Sequence, residues 1–151
     1  MYPTADTAET ALKRQDLFVC EEEGNVLASA IINQCQVDVY EEGDWTYCGS
    51  EEEVMVLHTL AVSPNATRRG LGSAFVKFYE EYASQKGCSV LRMDTNERNT
   101  IARKLYRKLG YLEAGIVPCE FNGIPGVNLV LLEKTLKRTT MKMNVFEEGD
   151  K

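Results

Sequence analysis

The segment Pro64-Asn65-Ala66-Thr67-Arg68-Arg69-Gly70-Leu71-Gly72-Ser73 stands between a β-branched apolar run and a long amphipathic one. Strand, glycine-bearing turn and helix in that order can cradle a phosphate. The helix start leaves about four backbone N–H groups unpaired and carries a partial positive charge, while Gly70 and Gly72 let a ligand approach the backbone closely. A plain structural turn uses the same Gly-x-Gly, so the pair alone names no ligand. It is not a P-loop, because no Gly-Lys-Ser/Thr follows at the required spacing. Nor is it the dinucleotide fingerprint, whose third glycine would fall at Phe75. The single histidine, His58, lies inside the β-branched run, as either a packed core residue or a proton acceptor. Cys20, Cys35, Cys48, Cys88 and Cys119 are odd in number and form no CxxC pair. That spacing predicts reduced thiols in a cytoplasmic protein, with no disulfide scaffold and no metal site.

With 151 residues, 44% hydrophobic and 26% charged, the chain is expected to form one domain that buries about two-thirds of its unfolded surface. The apolar run Leu27 to Ile32 is broken by Ser29 and falls far short of the ~20 residues of a membrane span; no basic-then-apolar leader opens the chain. Charge is uneven. Residues 1–56 carry 13 Asp or Glu against 2 Lys or Arg, residues 57–138 carry 7 against 13, and the whole chain nets -6. Such a split is either an accident of a solvated surface or the mark of a molecule that meets a cation with one half and an anion with the other. Net negative charge without a nucleic-acid motif argues against DNA or RNA, and a small phosphorylated ligand fits better.

These residues must be positioned by regular elements. Thr7 to Gln15 reads as a short polar helix, and Leu17 to Cys20 with Val26 to Ile32 as a hairpin through Glu23-Gly24-Asn25. A polar connector, residues 33–53, leads to Val54 to Val62, the strongest strand signal, which reads as a central strand that Pro64 ends. Gly70 to Lys86 predicts a helix burying Leu71, Ala74, Phe75, Phe78 and Tyr82, stopped by Gly87. Val90 to Asp94 is a further strand. Asn99 then caps a helix that packs Ile101, Ala102, Leu105 and Leu109 and ends at Gly110. Tyr111 to Val117 and Val127 to Thr135 read as the last strands, joined by a loop holding Asn122, Gly123, Pro125 and Gly126. Residues 139–151 form a polar tail beyond a single domain spanning 1–138. The order β-β-β-α-β-α-β-β predicts an α/β domain with a mixed sheet.

Leu60-Ala61-Val62-x-Pro64, then Arg69-Gly70-Leu71-Gly72, then Asn99-x-x-Ala102-x-x-Leu105-Tyr106-x-x-x-Gly110-Tyr111 resembles the GNAT superfamily of acyl-CoA-dependent N-acyltransferases, over residues 17 to 137. The resemblance implies an α+β fold: a mixed, mostly antiparallel sheet flanked by helices, whose splayed central strand pair binds acyl-CoA. Two features depart from the family. Thr67 stands where a Gln or Arg is usual, a change that should matter little because backbone N–H groups bind the pyrophosphate there. The family's first strand and most of its first helix have no counterpart before Met1, which bears on the acceptor wall.

By position, the resemblance implies that Leu60 and Val62 hold the pantetheine arm through backbone hydrogen bonds, with the Leu60 N–H polarising the thioester carbonyl. It also implies that Arg68, Arg69, Gly70, Gly72 and Ser73 surround the pyrophosphate. Asn99 either reaches the pantetheine or only caps its helix. Tyr106 sits where the family's tyrosine protonates the departing coenzyme A sulfur, and otherwise packs on the Ala102, Leu109 helix face. His58, two residues before Leu60, shares its strand face by period 2. In the serotonin N-acetyltransferase branch a histidine there helps to remove the amine proton. The glutamate of the superfamily's histone acetyltransferases would fall at Val56, and the nearest carboxylate on the strand, Glu53, points to the other face.

An amine must be neutral to attack a thioester, and deprotonating an alkyl ammonium of pKa near 10.4 costs about 4.6 kcal/mol at pH 7. Glu41, Glu42, Asp44 and Glu51 to Glu53 are expected near the acceptor mouth, where they favour a cationic amine; Trp45 and Tyr47 are either its aromatic wall or loop anchors. The resulting reading is an N-acetyltransferase that moves an acetyl group from acetyl-CoA to a small-molecule or peptide amine, directly, in a ternary complex. No cysteine falls in either motif, so no cysteine-acyl intermediate is needed. The alternatives are a non-catalytic acyl-CoA-binding sensor and a transferase for a longer acyl-CoA. Neither nucleic acid nor membrane is an expected partner, and the resemblance favours a homodimer.

Overall fold

The strongest apolar run becomes the middle of the sheet. The computed structural model describes residues 9, 12–66, 70–121 and 124–136; Thr67, Arg68, Arg69, Asn122, Gly123 and residues 137–151 lie outside them, as does part of the expected first helix. Six strands form, β1 (Leu17–Glu22), β2 (Asn25–Asn33), β3 (Val54–Val62), β4 (Val90–Asn96), β5 (Leu112–Phe121) and β6 (Ile124–Thr135), with two helices, α1 (Leu71–Gln85) and α2 (Thr100–Lys108). Their order across the sheet is β1-β2-β3-β4-β6-β5, antiparallel throughout except between β3 and β4. A parallel pair needs a crossover, and α1 supplies it.

Alternation along the strands divides the core in two. Ala28, Ala30, Ile32, Met55, Leu57, Leu91, Met93, Val130 and Leu132 pack with Phe75, Val76, Tyr79, Tyr106 and Tyr111 on the helical face. Val54, Val56, Val90, Ala114, Val117, Leu129 and Leu131 pack beneath Tyr40 on the other, the loop face. The loop face is covered by the connector after β2, which contributes short 3-10 turns at Asp38–Glu42 and Glu51–Glu53. Arg92 and Glu133, neighbours in the β4–β6 register, pin this connector. Glu133, 1% exposed, accepts the backbone N–H groups of Thr46 (2.7 Å) and Tyr47 (2.9 Å). Arg92 stacks over the Trp45 ring at 4.1 Å and donates to Gln36 Oε1 (2.7 Å) and the Tyr47 carbonyl (3.0 Å).

The stripe of α1 differs from the expected one, whereas α2 packs Ala102, Leu105 and Leu109 as expected and departs from it at Ile101. In α1 the buried residues are Phe75, Val76, Tyr79 and Ala83, while Phe78 is 42% exposed. Phe78 and Tyr82 turn to the edge strand, where Phe18 lies 5.6 and 5.0 Å from their ring centres. In α2 Tyr106 is the buried residue and Ile101 stays 81% exposed. The last hairpin is longer than predicted, with Pro125 and Gly126 inside β6. β4 ends at Asn96, opposite Leu129, so the first residues of β6 have one open edge, where a proline is tolerated.

Candidate active site

The site begins where two strands part. β3 and β4 pair through Val54–Val90, Met55–Leu91, Val56–Arg92 and Leu57–Met93, and there the pairing ends. β4 continues against β6 to Asn96, and β3 follows β2 to Val62. The Tyr79 hydroxyl, fully buried, lies 2.6 Å from the Met55 carbonyl and 3.1 Å from that of Arg92, joining the two strands just below the opening. Beyond Leu57 and Met93 the backbone of each strand presents an edge to a gap rather than to the other strand.

A bulge in β3 fixes what faces that gap. Ile31 pairs with His58 but Ser29 with Ala61, so β3 carries one extra residue there, and Thr59 has φ 50. A positive φ at a β-branched residue is strained, an arrangement that concentrates at functional sites. The extra residue reverses the alternation. His58 lies on the loop face with Val54 and Val56, whereas Leu60 and Val62 turn to the helical face, packed against its core. The shared face expected for His58 and Leu60 is therefore corrected: period 2 fails across the bulge.

On the helical face, Gly70 is the N-cap of α1 with φ 72, and a Cβ built there would meet nothing within 4 Å. The left-handed backbone requires glycine, and the space around it stays open. A Cβ on Gly72 would come 3.2 Å from Leu105 Cδ2, so this glycine also lets α2 pack close to α1. Among the described residues no side chain caps α1, which leaves the first-turn N–H groups around Leu71 to Ser73 for a ligand. Asn99 caps α2, its Oδ1 accepting from the Ala102 N–H at 3.0 Å. Tyr106, 7% exposed, sits edge-on to Tyr111 at 6.3 Å. Burial, and then the charge of Asp94, push its phenol up to about 12.

On the loop face the His58 ring leans toward β2. Its Nε2 lies 2.7 Å from Asn33 Oδ1, whose amide donates to Asp16 Oδ2 at 2.8 Å, and Arg14 donates to the same oxygen. Burial pulls His58 down to about 4, with the Asp16 charge opposing it, so the ring is uncharged at neutral pH. Asp94 occupies the opposite arm of the gap. It is the residue after Met93, on the loop face, and accepts from the Tyr40 hydroxyl at 2.7 Å. Burial raises its carboxyl above the usual range, and the Tyr40 hydrogen bond works against that rise. The sequence offered one signal for Asp94, an acid at the end of the strand Val90 to Asp94, and that signal does not point to chemistry by itself.

Of the acidic residues expected at an acceptor mouth, Glu41 and Glu51 line a cleft of about 520 Å³ on the loop face, together with Asp38, Tyr40, Trp45 and Arg92. Glu53 instead closes a capping box with Ser50. Trp45 donates to the Tyr40 carbonyl at 2.7 Å and Tyr47 packs on the loop-face core, so both anchor the connector.

A family profile described as Acetyltransferase (GNAT) family matches residues 2–111, the stretch that holds the splayed strand pair and the glycine-started helix. The chain belongs to that family. YhfO of Bacillus subtilis (strain 168), an uncharacterized N-acetyltransferase, is 34% identical over 64 residues, 42% of this chain and 43% of that one. The chain thus spans less than half the length of this relative. Ard1 of Thermoplasma volcanium has the same fold, with a TM-score of 0.72 at 14% identity over 91% of this chain and 83% of its own. So has yncA of Salmonella typhimurium, solved with its cofactor acetyl-CoA, with a TM-score of 0.67 at 17% identity over 91% and 77%. Among the described residues no cluster of side chains is suited to a metal ion, and no helix is long and apolar enough to cross a membrane.

Proposed function

We propose that this GNAT chain transfers the acetyl group of acetyl-CoA to the primary amine of a cationic acceptor, directly, within a ternary complex. The observation that carries this reading is the end of β3–β4 pairing at Leu57 and Met93, beside the open, uncapped start of α1. A ligand with a phosphorylated head and a thin arm fits those two features together. Its pyrophosphate meets the N–H groups at Gly70, Gly72 and Ser73, with Arg68 and Arg69 supplying positive charge. Its arm runs along the free edge of β3 at Leu60 and Val62, and Asn99, besides capping α2, stands at the arm's far side.

The donor enters from the helical face, because α1 and Tyr106 are there. The amine then approaches through the gap from the loop face, past Glu41 and Glu51, which favour a cation. Tyr106, protonated at any ordinary pH, gives its proton to the departing thiolate. His58 forms part of the acceptor wall, and its uncharged ring is a weak proton acceptor. Five unpaired cysteines fit a reducing, cytoplasmic setting.

A thermal-shift titration with acetyl-CoA, coenzyme A, NAD and ATP tests this reading. At a hundredfold excess over Kd a ligand adds about 2.7 kcal/mol, which moves the midpoint by roughly 2 to 8 °C in a domain of this size. A shift with acetyl-CoA and coenzyme A alone is expected. No shift with either means that the gap holds no coenzyme A and refutes the reading.

A further inference from the structure

We propose that the loop-face cleft is the acceptor's specificity subsite and that Arg92 there takes a carboxylate, which makes the acceptor a free diamino acid acetylated on its side-chain amine. The assignment rests on the acetyl-transfer reading above and names the substrate class of that same site.

Arg92 is the observation that points to an anion. It lines the cleft of about 520 Å³ and is 8% exposed. A guanidinium taken so far out of water calls for a charged partner. Yet among the described residues its hydrogen bonds go to neutral acceptors, Gln36 Oε1 and the Tyr47 carbonyl, and it forms no ion pair. Glu133, its neighbour in the β4–β6 register, has both carboxylate oxygens on the N–H groups of Thr46 and Tyr47. Two of the five N–H groups that a guanidinium carries are thus engaged, and Nε has no partner at all. Trp45 covers one face of the guanidinium at 4.1 Å, which leaves its edge, where a carboxylate makes paired hydrogen bonds. Gln36 adds its side-chain amide N–H groups, which have no partner among the described residues.

The rim decides the rest of the ligand. Asp38, Glu41 and Glu51 are exposed around the cleft. Their charge opposes a phosphate or other dianion and favours a molecule that carries an ammonium beside its carboxylate. The cleft joins the gap through Tyr40, which lines it and donates to Asp94 at 2.7 Å. Arg92 and Asp94 stand two residues apart on the loop face of β4, about 6.6 Å at the rise of a strand. An amine in the gap and a carboxylate on Arg92 are therefore separated by about five or six single bonds, each advancing the chain by roughly 1.25 Å. The α-amine of an amino acid lies too close to its own carboxylate for this span, whereas the side-chain amines of ornithine and lysine match it. The α-ammonium of such a molecule then faces the acidic rim. In the transfer the side-chain nitrogen bonds to the thioester carbon and the carbon–sulfur bond breaks. Of the two protons that the ammonium gives up, one goes to the sulfur and one to solvent.

The test measures kcat/KM with acetyl-CoA for acceptors matched in length, L-ornithine against putrescine and L-lysine against cadaverine. Wild type is expected to favour the diamino acid of the better pair at least about 20-fold, the size of a charge-assisted hydrogen bond, and NMR of the product should show acetylation on the side-chain nitrogen. Gln36→Glu keeps an acceptor oxygen for Arg92 and supplies the missing carboxylate from within the protein. It should melt no lower than wild type and cut the ratio of diamino acid to diamine at least about tenfold. Arg92→Met should abolish that ratio, whereas a purely structural role would lower both acceptors alike; if this variant does not fold, Gln36→Glu carries the test. A wild-type ratio below threefold, an unchanged ratio in Gln36→Glu, or a product acetylated on the α-nitrogen overturns the assignment. So does a protein whose melt acetyl-CoA shifts but which acetylates none of the four acceptors, and that result leaves the donor reading standing. Absence of the acetyl-CoA shift refutes the donor reading itself.

Discussion

His58, the single histidine, ties the stability of the protein to pH. Burial holds His58 at about 4 in the folded protein, against an ordinary value of 6.5. At 1.36 kcal/mol per unit, the difference is worth about 3.4 kcal/mol, or nearer 3 for a ring that water still partly reaches. The sign follows from proton counting. Between pH 6.5 and 4 the unfolded chain binds a proton that the folded chain refuses, so stability falls as the pH falls. The contribution is complete above pH 6.5 and gone below pH 4. Asp94, raised by burial, works in the opposite direction, but it does so equally in a His58 variant. Urea melts of wild type and His58→Gln at pH 7.5 and 4.5 isolate the histidine: wild type should lose about 2 to 3 kcal/mol more than the variant. A proton NMR titration reads the group directly, since only one imidazole resonance exists. A midpoint at 6 or above, or a wild-type-to-variant gap that does not change with pH, would refute the buried, neutral His58 and restore it as a base near neutrality.

Tyr106→Phe should lower kcat by about 10² to 10⁴ with coenzyme A affinity within twofold of wild type, as calorimetry would show; an equal loss of affinity would make the tyrosine a packing residue. Gly70→Ala meets no atom within 4 Å but forces φ 72 on an L side chain. It should cost about 1 to 2 kcal/mol in melts, and acetyl-CoA binding should weaken at least about tenfold if the backbone there is a cradle; unchanged binding would leave only a turn. Glu133→Ala removes the buried acceptor of the Thr46 and Tyr47 N–H groups, two hydrogen bonds to a charged group at about 1.5 to 3 kcal/mol each, and a melt within 1 kcal/mol of wild type would mean that the connector does not depend on them.

Most elements were legible because their signals are local. The β-branched run at Val54 to Val62 ends at the predicted residues, and Asn99 caps α2. What was not legible depends on contacts distant in sequence. Glu133 looks like a polar strand residue until a connector some 86 residues away supplies two donors to it. The stripe of α1 shifts because Phe18, on the edge strand, draws Phe78 and Tyr82 aside. The bulge is hidden for another reason: Thr59 favours extended structure by type and occupies φ 50 here. Of the candidate site, the glycine-started helix and the place of Tyr106 on α2 were visible through motif spacing. The sides taken by His58 and Asp94 were not, because the bulge decides the one and the course of β4 past β3 the other.

The bulge and the gap are one feature. β3 has to satisfy β2 along one edge and β4 along the other, and the extra residue at Thr59 lets it stay with β2 while it leaves β4. β4 loses nothing by this, since β6 pairs with it from Val90 to Asn96. The backbone groups thus freed lie on the edges of two strands that are otherwise held firmly, at β2 and at β6. A rigid pair of free edges suits an extended ligand arm, because little entropy remains to be lost when it binds. The same extra residue also separates tasks. It sends Leu60 and Val62 toward the helical face, where α1 and Tyr106 lie, and leaves His58 on the loop face with Asp94. Deleting Thr59 would restore the alternation and put Leu60 where Thr59 now stands. Such a variant should fold with β2 and β3 in plain register yet lose acetyl-CoA binding; retained binding would show that the arm does not depend on the bulge.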